Sequence, residues 1–453
     1  MEYTAVESFG YKQELKRSLT LGGLLVYGLV FIVPIAPVAI FGIVYNASHG
    51  MVPLIYGVGL IAMLFTALSY MAMVHEFPIA GSVYSYAARS LGPAIGFFAG
   101  WAILLDYLLI PTLTYVTSAI AAQSALPAIP QAVWVVALLA FATVVNYLGI
   151  ETTARVNLLM LAFQIVILAI FIVVALAGLA HHFAGAHLSL APIYNPAELT
   201  PSLIFGALSL AVLSFLGFDA ISTLSEEARD GSRAVARATA LSLCLAALLF
   251  MIQTYLASLF VLGRTSFALG NSANTAFYGI VGMLGGYWLK FLLAVPGVLL
   301  SGLASALSAQ AATARLLYGM GRDGVLPGAL AHVNQRRRVP ERAIFLVAGI
   351  TLVLGLLLVG KLELLTSMVS FGALLGFLLL HLSVIVHFMW RKRSRQWLRH
   401  LVAPAIGFCI IAYVLWNAEL NAKIAGGCWL AFGFIIFLAL RFMGRSTALS
   451  IGK

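Results

Sequence analysis

The chain has 453 residues, of which 62% are hydrophobic and only 9% charged, with a formal net charge of +11. A soluble domain of this length carries roughly 25% charged residues, so too little polar material is present to coat the apolar remainder in water. Lipid must surround most of the chain, and this excludes a soluble enzyme or a nucleic-acid-binding domain as the explanation of its basic charge.

Residues 1–18, with Lys12, Glu14, Lys16 and Arg17, read as a polar cytoplasmic lead. They contain no short apolar region followed by a small-residue cleavage site. Apolar runs of roughly 20 residues, the length that crosses a hydrocarbon core, then recur to the end of the chain. The first half is predicted to cross at Leu19–Tyr45, Val52–Val74, Pro93–Thr117, Val133–Leu148, Val156–Leu179 and Leu203–Leu224. The second half continues with Ala238–Leu262, Phe291–Thr313, Ala343–Val359, Leu365–Trp390, Leu401–Trp416 and Ile424–Leu440. The expected fold is an all-α polytopic membrane protein of twelve transmembrane helices with no separate soluble domain.

With the N-terminus inside, all 26 Lys and Arg fall on the cytoplasmic side except Arg264, Lys290, Lys361 and Lys423. Positive charge retained on the cytoplasmic side sets orientation during insertion. Both termini are therefore expected in the cytoplasm, the protein in the inner membrane, and the basic pI needs no acidic partner. The run Arg336-Arg337-Arg338 reads as part of this anchor, next to lipid headgroups. The largest outer loop, His181–Pro201, holds His181, His182 and His187 and reads as solvated rather than metal-binding. Cys244, Cys409 and Cys428 form no Cys-x-x-Cys pattern and imply neither disulfide nor metal.

Two spans look broken. The first contains Pro34-Ile35-Ala36-Pro37 at mid-membrane, where proline removes a backbone donor and stops the helix. The sixth contains Ser214-Phe215-Leu216-Gly217-Phe218-Asp219, where glycine and a charge interrupt an apolar run. Irregular backbone at this depth persists only where protein packs around it or a cavity borders it. Paired breaks in corresponding positions of two repeats are a pointer to a transporter's binding site.

Two acidic residues fall inside the predicted hydrocarbon, Asp106 in the third span and Asp219 after the sixth-span break. An intramembrane carboxylate is expensive and faces a partner or a watery path. Each is a candidate proton carrier, and Asp106 is also a candidate counter-charge for a cation. A structural cap is the alternative role for both. Ser301, Ser305, Ser308 and Gln164 are candidates for cavity lining, against helix packing as the ordinary use of such residues. Tyr107 and Tyr115 could stack on an organic cation, against plain core packing.

Four segments together resemble the amino acid–polyamine–organocation superfamily. Phe77-Pro78-Ile79-Ala80-Gly81-Ser82-Val83-Tyr84-Ser85-Tyr86 resembles its loop after the second span. Ser214–Asp219 with Glu226-Glu227 resembles its broken sixth helix and exit, and Ala314-Arg315-Leu316-Leu317-Tyr318 with Arg322-Asp323-Gly324-Val325-Leu326-Pro327 its loop after the eighth span. Gly100-Trp101 with Leu104-Leu105-Asp106-Tyr107 is similar to the bacterial putrescine importer branch.

The resemblance implies a LeuT-like fold of two inverted five-helix repeats, residues 19–179 and 202–390, plus two extra helices in 401–441. It also implies a substrate held between helices 1, 3, 6 and 8, and alternating access of a bundle against a scaffold. An acidic residue carried by putrescine importers in the first helix corresponds here to Ala39, and the usual glycine-rich break there is replaced by Pro34 and Pro37. A half-helix starting near Pro37 would aim the amides of Val38 to Ile40 at the cavity, where a carboxylate could bind. The proline after the sixth-helix exit is replaced by Ala236, and the lysine some relatives carry in the fifth span is missing.

The sequence thus reads as a secondary importer of a small amine-bearing solute, coupled to protons and using no cofactor, since no Gly-x-x-x-x-Gly-Lys nucleotide motif appears. The expected substrate contacts are Pro34, Ile35, Ala36, Pro37, Asp106, Tyr107, Phe215, Leu216, Gly217, Phe218, Ser301 and Ser305. The alternative is an exchanger or carrier of a neutral or anionic small molecule with Asp106 structural. A membrane enzyme would need clustered His, Glu or Asp in its spans, and a channel would show rings of polar residues. Substrate, stoichiometry and oligomeric state are not legible in the sequence.

Overall fold

The structure, a computed structural model, describes residues 7–126, 128–268, 271–358, 362–418 and 420–442. Helix α1 (Leu21–Ile32) starts at Thr20, whose hydroxyl accepts the Gly23 amide at 3.3 Å. It stops where proline dictates. Pro34 has no N–H to continue the ladder, and a residue before proline is driven out of the helical region. Val33 accordingly sits at φ 63, ψ 96, a strained conformation for a β-branched residue. Helix α2 (Pro37–Ala47) then restarts with Pro37 in its first turn, bent by 55° from α1.

The chain continues through α3 (Val52–Glu76), α4 (Ser82–Ser90), α5 (Pro93–Ala125), α6 (Gln131–Leu148), α7 (Ile150–Ala180) and α8 (Pro201–Ala211). The sixth span narrows after α8 into two short 3₁₀ stretches, Val212–Phe215 and Phe218–Leu224, either side of Gly217 at φ 114. The second half comprises α9 (Gly231–Leu259), the single turn α10 (Asn271–Asn274), α11 (Ala276–Leu292), α12 (Val298–Arg322), α13 (Glu341–Leu357), α14 (Leu362–Ile385), α15 (Ala403–Trp416) and α16 (Leu420–Phe442). Among the described residues the sole β-type pairing is an isolated parallel bridge between Leu19 and Ala228.

Among the described residues ten helices are long and apolar enough to cross a membrane, and the bent α1–α2 pair makes eleven. The expected ninth span corresponds to α13, whose 17 residues sit at the lower limit of a spanning helix. Large apolar side chains are exposed on the outer helices, among them Leu159, Val173, Ile435 and Leu357. A solvent of lipid accounts for that surface, and the chain is a multi-pass membrane protein.

Helix α5 is the central element, packed against α4, α12 and α14, while α3 pairs with α9. Pro111 interrupts α5 without ending it. The missing amide frees the carbonyl one turn back, on Tyr107, and the Thr313 hydroxyl of α12 donates to it at 2.7 Å. Helix α16 is stapled to α5 by Trp101 and Trp429, each indole donating to the other's carbonyl, at 2.8 and 2.7 Å.

Several boundaries differ from the sequence expectation. Helix α5 runs to Ala125 rather than Thr117, and α12 continues to Arg322 rather than Thr313. Hydropathy falls at Arg315, but that arginine is only 2% exposed because Glu227 neutralises it. The segment after the second span is not a loop throughout: Ser82–Ser90 is helical and almost wholly buried. The stretch between the expected sixth and seventh spans carries two buried carboxylates, Glu226 and Glu227, and is helical from Gly231.

Candidate functional site

The two breaks face one cavity of about 280 Å³. One wall is the α1–α2 break, with Phe31, Ile35, Ala36 and Ala39; the facing wall is Leu213, Ser214 and Leu216 of the sixth span. Ile110, Thr114 and Thr117 of α5 and Ser301, Gly302 and Ser305 of α12 complete it with Tyr278. The lining is mostly apolar, and among the described residues no carboxylate or cationic side chain borders it.

The breaks differ in their backbone chemistry. At the first, Phe31 O accepts the Ser305 hydroxyl at 3.1 Å and Pro34 O accepts Gln253 Nε2 at 2.8 Å. Val33, Ile35 and Ala36 carbonyls accept the amides of Ala36, Val38 and Ala39. The amides of Val38 and Ala39, two of the three expected to face a carboxylate, are therefore engaged in tight turns. At the second break, the carbonyls of Ser214, Phe215 and Leu216 accept no hydrogen bond from the described residues. Ser214 and Leu216 belong to residues bordering the cavity.

Asp106, Tyr107 and Asp219 form a separate cluster that does not line the cavity. All three are fully buried. Asp219 is well served: Tyr107 donates its hydroxyl at 2.6 Å and the Gly217 amide donates at 3.2 Å. These bonds fix the glycine turn of the second break. Asp106 has no hydrogen-bond partner on either carboxylate oxygen among the described residues. Helix α14 presses against it at Gly372, where a Cβ would lie 2.9 Å from the Asp106 amide nitrogen.

Of the remaining expected contacts, Ile35, Ala36, Leu216, Ser301 and Ser305 border the cavity. Pro34 and Pro37 are buried behind it and shape the break rather than line it. Phe215 packs on Tyr56 and Phe250, and Phe218 on Tyr70 and Phe377, so neither reaches the cavity. Gly217 lies against the Phe31 ring, with an added Cβ only 2.2 Å from Phe31 Cδ1. Ser308 instead accepts from Asn157 at 2.9 Å, and both Gln164 and Tyr115 are buried with unpartnered polar atoms.

A second polar system closes the face that carries the N-terminal segment. Arg315 meets Glu227 with two donors, one of them at 2.8 Å, and Arg322 meets Glu226 at 2.9 Å. Glu226 also accepts the Ala80 amide at 2.8 Å. The lead seals this layer: Ser18 and Leu19 amides donate to Glu227 O at 3.1 and 3.0 Å, and Arg229 returns an amide to Leu19 O at 2.7 Å. Tyr11 donates to Asp323 at 2.7 Å and accepts from Arg89 at 2.9 Å. Burial, with the Asp323 charge second, pushes the Tyr11 hydroxyl up to about 12, so it stays a donor at neutral pH.

The sequence profile of the amino acid permease family matches residues 23–450. The chain belongs to that family. It is 34% identical to the low-affinity putrescine importer PlaP of Escherichia coli K12, over 94% of each chain. It is 26% identical to the branched-chain amino acid permease BcaP of Bacillus subtilis, over 84% of this chain and 83% of the relative. A methylthioribose transporter of Bacillus subtilis is likewise 26% identical, over 84% and 82%. The protein is a transporter and not an enzyme, in agreement with the expected superfamily and LeuT-like class.

Sequence reasoning missed several residues around this cavity. Gln253 caps the first break from α9, Tyr278 walls the cavity from α11, and Thr114 and Thr117 supply hydroxyls from α5. No local pattern separates such residues from packing residues. For Arg315 a signal was present, because a motif arginine followed by an apolar stretch could have been paired with Glu226-Glu227.

Proposed function

We propose that the protein imports a small amine-bearing solute, an amino acid or a polyamine such as putrescine, by alternating access coupled to protons. The observation that carries this reading is the second break, where the Ser214 and Leu216 carbonyls are left without donors beside an apolar cavity. An ammonium group supplies several donors and a positive charge to such acceptors. The putrescine and branched-chain amino acid relatives support an amine as the common feature of the cargo.

Asp106 would be the proton site. A buried carboxylate without a hydrogen-bond donor is too costly to keep charged, so it takes a proton or a cation before the surrounding helices close on it. Asp219, held by Tyr107 and Gly217, would transmit that change to the second break. With the N-terminus cytoplasmic in the inner membrane, the Glu226–Arg322 and Glu227–Arg315 layer becomes the inner seal. The cavity then belongs to the outer half of the path. Residues 19–179 and 202–390 would be the two inverted repeats, within which a bundle moves against a scaffold.

The apolar lining favours a second reading, a carrier of a neutral or anionic solute with Asp106 structural. Proteoliposome uptake of labelled putrescine and leucine, with and without an inward proton gradient, separates the two. The expected result is gradient-stimulated uptake that amine competitors suppress and that Asp106→Ala abolishes. Full uptake by Asp106→Ala, or indifference to amine competitors, would establish the second reading.

A further inference from the structure

On the face carrying the N-terminal segment, three distant stretches converge on a cavity of about 400 Å³ that the transport path does not use. Its lining is Lys16 from the lead, Leu148–Thr152 from the α6–α7 turn, and Arg336, Arg337 and Arg338 from the loop before α13. The arginine loop is a built turn. Asn334 Oδ1 accepts the Arg336 and Arg337 amides, both at 3.0 Å, and Arg338 donates its amide to Asn334 O at 2.8 Å. Asn334 is in turn tied to Glu341 at 2.7 Å. Arg338 adopts φ 52, a left-handed conformation that a side-chain-bearing residue rarely takes.

The turn thus brings three successive arginines to one cavity, with the Arg337 guanidinium donating to Tyr147 O at 3.4 Å. None of the three forms an ion pair among the described residues. Arg337 lies flat on the Tyr147 ring, 3.9 Å from its centroid. The one carboxylate at the cavity, Glu151, is engaged by Lys16 at 2.9 Å, which leaves the arginine charges uncompensated. Converging guanidinium forks are suited to the oxygens of a phosphate group, which they bind through paired N–H donors.

The surroundings indicate how that phosphate arrives. Beside the cavity mouth, Leu148, Val144 and Phe141 form an exposed stripe along α6, and Phe345 of α13 stands exposed next to Tyr147. A headgroup in the cavity would lay its acyl chains along this stripe. We propose that the cavity binds a phosphate group, presented by the headgroup of an anionic phospholipid of the surrounding leaflet.

The test uses the full-length purified protein and three probes: phosphatidylglycerol, phosphatidylethanolamine and inorganic phosphate. Retention of each lipid is read by native mass spectrometry, and protection by phosphate from the thermal-unfolding midpoint. R336Q/R338Q removes two cavity charges, and R393Q/R395Q removes two from another exposed loop on the same face. Phosphatidylglycerol should be retained in preference to phosphatidylethanolamine, and R336Q/R338Q should weaken it on the order of tenfold, with R393Q/R395Q unchanged. Phosphate protection lost in R336Q/R338Q without lipid preference would keep the phosphate chemistry and assign a soluble source. Equal loss in both doubles, showing diffuse surface charge, would overturn the proposal, as would no response to any probe. Neither readout depends on uptake, so failure here leaves the transport reading intact.

Discussion

The two breaks arise from different residues and end in different chemical states. Prolines make the first, and Ser305 and Gln253 reach in from α12 and α9 to occupy its Phe31 and Pro34 carbonyls, while Ile32 O accepts no hydrogen bond from the described residues. Glycine makes the second, and the protein leaves its acceptors open while fixing its position through Asp219 and, below it, Glu227. A broken helix therefore does not by itself make a ligand site. What distinguishes the second break is that three successive carbonyls, Ser214 to Leu216, accept no hydrogen bond from the described residues, two of them on residues that border the cavity.

The largest expected effect falls on the anchor of the second break. Arg315→Ala leaves Glu227 charged, buried and unpaired, at about 3–5 kcal/mol, seen as a lower unfolding midpoint of the purified protein. An unchanged midpoint would mean that the second break is not held from below. Next comes the turn itself. Gly217→Ala puts a methyl against Phe31 at a left-handed φ of 114, a strain of about 1–3 kcal/mol before any clash. Initial uptake rate per molecule should fall on the order of tenfold, and a normal rate would show that the open turn is not needed. The smallest effect tests the first break. Gln253→Leu strips the donor from Pro34 O, lowering stability by about 1–3 kcal/mol while leaving the apparent affinity for solute intact. A loss of affinity would place the solute on the first break and erase the distinction.

Positions of the breaks were legible because proline and glycine act on their own backbone. Pro34 forces Val33 out of the helix whatever surrounds it, and Gly217 alone permits φ 114. What fills a break is set by residues far along the chain, 219 positions away for Gln253 and 274 for Ser305. Local pattern carries no trace of those meetings. The same limit explains the misplaced end of the eighth span: a hydropathy window sees the charge of Arg315 but not Glu227, 88 residues earlier. Asp106 was recognisable as an intramembrane carboxylate. Its exclusion from the cavity was not, since that depends on the rotation of α5 against α14. A proline-started helix ordinarily begins with free donors, but here 3₁₀-type turns use the amides of Val38 and Ala39.

The lead, joined to Glu227 and Arg229, also constrains the order of biogenesis. Ser18 and Leu19 find their partners only after the ribosome has delivered the sixth span and its exit, and Arg315 must follow before Glu227 is neutralised. During synthesis the first helix therefore enters the bilayer with its leading end undocked, and that face assembles late. A nascent chain halted before Glu227 leaves the lead without its backbone partners. One carried past Arg322 conceals it. The same handful of backbone bonds that closes the finished transporter thus marks the point at which an unfinished one ceases to look unfinished.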